Sequence, residues 1–289
     1  MWVAGDWTDF ELLDAGFGEK LERWGPYILR RPDPQAVWPA DKSKGLWPAA
    51  DAVYIRSGNG GGGWECRGEM PAGWDIRYKQ LRFRVKPMQF KHTGIFPEQA
   101  VNWDWMREMI AGRGAVRVLS LFAYTGAATV AAAAAGASVC HVDAAKGMVA
   151  MAKENASLSG VPNGRIRYIV DDAVKFIRRE IRRGSKYDAV VMDPPAYGRG
   201  PGGELWKSEI HLYEAINLCS QLLSNAPIFF VVNTYTTGIS AASVENILRI
   251  AVKSRFGGRL ECGELGLPVA AQPDGIVLPC GCCARWAPD

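Results

Sequence analysis

From about residue 98 the chain settles into a rhythm that restricts its fold more than any other feature. A helical stretch from Glu98 to Gly112 leads into the apolar run 116–122, Val-Arg-Val-Leu-Ser-Leu-Phe, which reads as a buried strand. An Ala-rich helix follows, Ala127 to Ala135, closed by Gly136, and the next strand, Ser138 to Val142, ends at Asp143. The alternation continues with a helix Lys146 to Ser159, a strand Ile166 to Val170, a helix Val174 to Arg183 and a strand Asp188 to Met192. Beyond Pro195 the pattern predicts a helix near Leu212 to Leu223, a strand Ile228 to Asn233 and a helix Ala241 to Arg255. Two closing strands are expected, Arg259 to Pro268 and Gly275 to Arg285. Strands alternating with crossover helices must pair in parallel, because each helix returns the chain to the same end of the sheet. The reading is therefore an α/β fold with five parallel strands and a C-terminal antiparallel hairpin.

The preceding segment differs. Its first 60 or so residues are rich in Trp, Pro and Gly and end in Gly58-Asn59-Gly60-Gly61-Gly62-Gly63, too flexible for the interior of an element. Trp74 to Tyr78 and Leu81 to Lys86 then alternate apolar with polar, the period of strands covered on one face. The expected division is a β-rich N-terminal domain over 1–90, with an antiparallel sheet and a possible role in substrate recognition, and an α/β domain over 91–289. Arg82, Arg84 and Lys86 share one strand face near several tryptophans, a pattern that RNA backbone and base stacking could use, although a solvated face is the plainer account. Arg178, Arg179, Arg182 and Arg183 form a second basic run.

Four places carry chemistry. The turn after the first parallel strand, Phe122-Ala123-Tyr124-Thr125-Gly126, lies where open parallel sheets bind ligands, beyond the strands' carboxyl ends. It lacks the first two glycines of GxGxxG, so it suits a cofactor without a pyrophosphate. Asp143, with Ala144 beside it, ends the next strand where a carboxylate can accept both hydroxyl hydrogen bonds of a ribose, or alternatively cap the helix that follows. Asp171-Asp172-Ala173 ends the third strand, where an acid and a backbone N–H could read an adenine edge; either Asp could instead cap the next helix. The most specific is Asp193-Pro194-Pro195-Ala196-Tyr197-Gly198. Two prolines directly after a strand stiffen the loop and force the Asp into an extended conformation at the pocket rim.

These residues, together with the segment 94–99 (Gly-Ile-Phe-Pro-Glu-Gln), resemble the bacterial class I, Rossmann-like methyltransferases related to the 23S ribosomal RNA cytosine-C5 methyltransferases, over roughly residues 90 to 289. The resemblance implies S-adenosylmethionine as cofactor. It further implies that Phe122 to Gly126 hold its methionine part, Asp143 its ribose and Asp172 its adenine, with Gln99 bordering it. Asp193, Pro194 and Tyr197 would then orient, or take a proton from, the methyl acceptor. One departure stands out: the family's catalytic cysteine, in a Ser-Cys-Ser-Gly stretch after strand five, is here replaced by Thr236 within Tyr235-Thr236-Thr237-Gly238. A threonine hydroxyl is a far poorer nucleophile than a thiolate, which puts the covalent C5 route in doubt.

Seven cysteines in no regular framework suit a reducing, cytoplasmic compartment, and Cys262, Cys280, Cys282 and Cys283 read as buried thiols rather than metal ligands. No export signal and no 18-residue apolar run is seen, and the formal charge of +4 is compatible with a polyanionic partner without demanding one. The expected function is methyl transfer from S-adenosylmethionine to a nucleic-acid base, with ribosomal or other structured RNA as partner. The alternatives are a methyltransferase of proteins or small molecules, and a silent RNA-binding relative. A dehydrogenase stands well behind both for want of phosphate-cradling glycines.

Overall fold

The computed structural model describes residues 1–58, 61–88, 90–271 and 275–289. They form two compact units, one of Trp2–Ala100 with Gly266–Cys280, the other of Val101–Leu265 with Gly281–Asp289 and Met1. Asn59 and Gly60 of the glycine-rich run lie outside the described residues.

In the first unit the strand β1 (Trp2–Val3) precedes a five-stranded sheet of β2 (Phe10–Gly16), β3 (Glu19–Trp24), β4 (Tyr27–Pro32), β5 (Ala52–Arg56) and β6 (Gly62–Cys66), in chain order across the sheet. It is not wholly antiparallel, as the strand pattern implies: β4 and β5 run parallel, with Leu29 opposite Ala52. The connection over 33–51, which includes the short helical turn Trp47–Ala49, is long enough to carry the chain back to the starting end of β4. A separate hairpin pairs β7 (Trp74–Tyr78) with β8 (Leu81–Val85). Ile76, Tyr78, Leu81, Phe83 and Val85 are buried, leaving Arg82 on the exposed face and Arg84 paired to Asp75 at 2.9 Å.

Three tryptophans of this unit belong to its core rather than to a stacking face. Trp24, Trp47 and Trp74 are buried, Trp24 stands edge-on to Phe10 at 4.7 Å, and the Trp74 indole donates to the Trp24 carbonyl at 2.8 Å. Trp7 and Trp64 spend their N–H groups on the carbonyls of Pro97 and Met88. The same core holds Glu22, which accepts two bonds from Arg31 at 2.6 and 2.7 Å and lies 3.3 Å from Lys20. A buried carboxylate is tolerable only with such partners.

In the second unit, helix α1 (Ala100–Ile110), which begins at the boundary, precedes a parallel series: β9 (Arg117–Leu121), α2 (Ala127–Ala134), β10 (Ser138–Asp143), α3 (Lys146–Leu158), β11 (Ile166–Val170), α4 (Ala173–Arg182) and β12 (Ala189–Met192). A short hairpin, β13 (Tyr197–Arg199) with β14 (Leu205–Lys207), precedes α5 (Ser208–Ser220), β15 (Phe229–Thr234), α6 (Ala241–Leu248), β16 (Arg259–Pro268) and β17 (Val277–Ala287). Among these elements the strand order is β16-β17-β15-β12-β9-β10-β11. β15, β12, β9, β10 and β11 pair in parallel and β17 runs antiparallel to β15. β12 and β15 are buried throughout, as central parallel strands must be.

Three elements differ from expectation. Helix α5 begins at Ser208, four residues before Leu212, and the β13–β14 hairpin is absent from the pattern, since three-residue strands carry too little periodicity to register. The helix read as Ala241 to Arg255 is α6 continued through a wider π turn, Arg249–Lys253, into Ser254–Phe256.

Candidate active site

Strand β9 delivers its chain to the sheet's carboxyl edge, where the backbone turns through an unusual conformation. Phe122 and Tyr124 both have φ of 51° and Gly126 has 82°, so alternate residues of the turn are left-handed. For residues with a side chain this is strained by about 1 kcal/mol or more each, and such strain persists only where the surroundings dictate it. Here they do. The Asp143 carboxylate accepts from the Tyr124 N–H and from the Ala145 N–H, each at 2.8 Å, and Ala123 N donates to Val142 O. From below, the buried Asn155 amide of α3 donates to Thr125 O at 2.8 Å. Gly126 is obligatory twice over: its φ disfavours a side chain, and a Cβ there would lie 2.7 Å from that of Ala152.

Beneath the turn, Thr129 of α2 donates to Ser120 Oγ at 3.1 Å and lies 2.9 Å from His141 Nδ1. Burial lowers the His141 pKa to about 4, so the ring is neutral and serves this hydrogen bond. Asn155, Thr129 and His141 escaped the sequence reading. The only trace was polar residues at otherwise apolar positions of α2, β10 and α3.

Asp143 is not the cap of α3: the cap position is Ala145, with no side-chain cap bond, and Ala144 sits between them in the turn. Each Asp143 oxygen uses one lone pair on the backbone and keeps another for a ligand hydroxyl. Burial raises its pKa, against the two backbone bonds that lower it. Asp172 does cap a helix, its Oδ1 accepting from Lys175 N at 2.9 Å, which realises the capping alternative. Asp171 Oδ1 accepts from Asp172 N, and its other oxygen pairs with Arg179. Ala173 is buried as the first residue of α4. Gln99 lies buried in the helical turn Pro97–Gln99 of the other compact unit.

The loop after β12 begins at Asp193, half-buried, whose N–H reaches Leu121 O at 3.4 Å, and continues through the buried Pro194. The Pro195 carbonyl accepts from Trp206 Nε1 at 2.7 Å and Ser208 Oγ at 2.8 Å, so both its lone pairs are spent within the protein. Trp206 also packs on Phe122, ring centroids 4.6 Å apart, so one indole ties the loop to the left-handed turn. Tyr197 stands exposed at the start of β13.

The thiols are poor nucleophile candidates. Thr236 is buried and its hydroxyl has no hydrogen-bond partner among the described residues. Burial pushes Cys283, across the ladder from Asn233, up to about 12, and raises Cys280 and Cys282 as well. Among the described residues no three His, Cys, Asp or Glu side chains converge as metal ligands.

Asp143, Asp171, Asp172 and Asp193 thus line the carboxyl ends of β10, β11 and β12. Such a rim repels a pyrophosphate and suits a cationic, hydroxyl-bearing ligand. Against this geometry, residues 55–247 match the model of the S-adenosylmethionine-dependent methyltransferase family. The chain belongs to that family. A crystal structure of the SAM-dependent methyltransferase from Agrobacterium tumefaciens superimposes with a TM-score of 0.93 at 37% identity, covering 100% of this chain and 93% of that one. Ribosomal RNA large subunit methyltransferase I of Serratia proteamaculans is 31% identical over 128 residues, 44% of this chain and 32% of that protein. Ribosomal RNA large subunit methyltransferase K/L of Shewanella baltica is 32% identical over 117 residues, 40% of this chain and 16% of that protein. The matched stretches span less than a third of either relative.

The methyltransferase's cofactor is S-adenosylmethionine, and the residues present fit it: a carboxylate with lone pairs to spare at Asp143, a preformed turn without phosphate-binding glycines, and an acidic rim for a sulfonium.

Proposed function

We propose that this methyltransferase transfers a methyl group to a base of structured RNA, large-subunit ribosomal RNA above all, and at a nitrogen. The observation that carries the reading is the junction of the Asp143-braced turn with the Asp193-Pro194 loop on adjacent strand ends, tied by Trp206. The names of the curated relatives support the RNA class. When bound, the cofactor supplies an electrophilic methyl on sulfur, which an attacking lone pair displaces in line.

The chain's own residues then have three tasks. Asp143 and the 122–126 turn fix the cofactor, with Asp171 to Ala173 beside it. Asp193 and the Pro194 carbonyl accept hydrogen bonds from an exocyclic amine and turn its lone pair toward the methyl. The loop's two prolines hold these acceptors still, so that little entropy is lost on reaching the reactive geometry.

The nitrogen assignment follows from the thiols. A cytosine-C5 route needs a thiolate, and the position that would carry it holds Thr236, while burial holds the Cys283 thiol protonated at neutral pH. Free thiols at all seven cysteines support a cytoplasmic setting, and among the described residues no helix is long and apolar enough to cross a membrane. The test is transfer of radiolabel from S-adenosylmethionine into purified ribosomal RNA or into a protein fraction, followed by mass spectrometry of the nucleosides. A new N-methyl nucleoside is expected. Label confined to protein, or a 5-methylcytosine product, refutes the assignment.

A further inference from the structure

The Tyr197–Lys207 hairpin has two faces of opposite character. Gly198 pairs with Trp206, and the Trp206 ring is buried. Tyr197 opposes Lys207 and Arg199 opposes Leu205, and all four are exposed. Alternate strand residues share a face, so these four form one outer surface. On it Tyr197 is 55% and Leu205 45% exposed. Neither Arg199 nor Lys207 has an ion-pair partner among the described residues, whereas Lys175, Arg178 and Arg179 of nearby α4 are paired with Glu204, Glu214 and Asp171.

This surface is rigidly coupled to the reactive loop. Beyond the two bonds to the Pro195 carbonyl, Ser208 N donates to Ala196 O at 3.0 Å, and Glu204 is clamped to Lys175. A hairpin fastened this firmly from below, yet leaving an aromatic ring and two uncommitted cations outside, has the parts of a nucleic-acid stacking platform.

We propose that the outer face of this hairpin holds the single-stranded nucleotides flanking the methyl-accepting base, with Tyr197 stacked on a base and Arg199 and Lys207 each neutralising a phosphate. The inference rests on the nucleic-acid reading above and specifies where the RNA lies. Along the strand Arg199 is about 6.6 Å from Tyr197, and across the ladder Lys207 is about 5 Å away, so the cations bracket the ring. An acidic peptide would satisfy the cations but offer the ring no π face, whereas every base has one.

The test is fluorescence anisotropy with a labelled single-stranded RNA of about 12 nucleotides and mixed sequence. The R199Q/K207Q variant should lower the slope of log affinity against log salt by about 1.4, two phosphates' worth. Y197A should weaken binding by about 5- to 150-fold, the loss of one stack, and Y197F should restore it. Calorimetry with S-adenosylmethionine should give the wild-type affinity for R199Q/K207Q, showing the fold intact. If the wild type binds this RNA and the variants keep its affinity and salt slope, the hairpin assignment falls while the nucleic-acid reading stands. If the wild type binds the cofactor but no RNA, both fall. Displacement of the RNA by a polyglutamate peptide of equal charge would mark a protein-docking face and overturn the proposal.

Discussion

The proposed cofactor site turns on Asp143, and Asp143→Asn tests it with almost no change of shape. The carboxylate accepts two backbone N–H bonds at 2.8 Å, one of which stabilises a residue at φ of 51°. An amide has one accepting oxygen, so either Tyr124 or Ala145 is left facing an N–H donor. A hydrogen bond to a charged group contributes roughly 1.5–3 kcal/mol when sheltered, and less for the exposed Ala145 bond, so the variant should lose about 2–4 kcal/mol of stability. Burial already disfavours the ionised carboxyl, which places the loss toward the lower figure. For the ligand, two ribose hydroxyls each lose a charged acceptor. That is a further 3–6 kcal/mol, or roughly a 10²- to 10⁴-fold rise in Kd. Calorimetry with S-adenosylmethionine measures the affinity, and a thermal melt of the unliganded protein measures the stability. A variant that binds within about threefold of wild type would refute the ribose role, and one that melts together with wild type would refute the bracing of the turn.

Acidification should act at the same residue. The Asp143 pKa is raised, so cofactor affinity should fall as pH drops through a value above the ordinary aspartate range; its contribution to unliganded stability has the opposite sign, present at low pH and lost as pH rises through the folded pKa. An affinity flat down to the ordinary aspartate pKa would contradict this. Gly126→Ala should destabilise by about 2–4 kcal/mol, through the left-handed backbone and the 2.7 Å contact, and adding Ala152→Gly should recover the packing part alone, as denaturation of the double variant would reveal. Trp206→Phe keeps an aromatic ring near Phe122 but drops the bond to Pro195, so kcat for RNA methylation should fall about 10- to 100-fold with the cofactor Kd unchanged; a changed Kd with normal kcat would place Trp206 elsewhere in the mechanism. Glu22→Gln leaves Arg31 without its carboxylate, Lys20 keeping Asp33, and should cost about 3–5 kcal/mol in urea unfolding, while a loss under 1 kcal/mol would mean the network is solvated.

Much of the larger unit was readable in advance because parallel strands buried on both faces are continuous apolar runs. β9, β10 and β12 agree to within two residues, and the partly exposed edge strand β11 also falls at the expected Ile166–Val170. The Asp143 position was legible from its place at a strand end after a glycine turn. The left-handed backbone at Phe122 and Tyr124 was not, because neither residue type announces a positive φ. Nor was the fate of the Pro195 carbonyl, which depends on a hairpin too short to leave a period. In the N-terminal unit, Trp content alone could not separate a stacking surface from a core. The burial of Trp24, bonded to Glu22, and of Trp74, bonded to the Trp24 carbonyl, decided it.

Local chemistry along the chain determined which residues could serve: glycine where only glycine turns, acids at strand ends, prolines that stiffen a loop. Those are properties of single residues and short periods, and they survive in one dimension. Tertiary structure alone decided how their hydrogen bonds are spent. Asp143 braces a strained turn, Asp172 caps a helix and Trp206 fastens a loop to that turn, because each of these outcomes depends on a donor or acceptor brought from a distant stretch of chain or on the angle at which the backbone presents it.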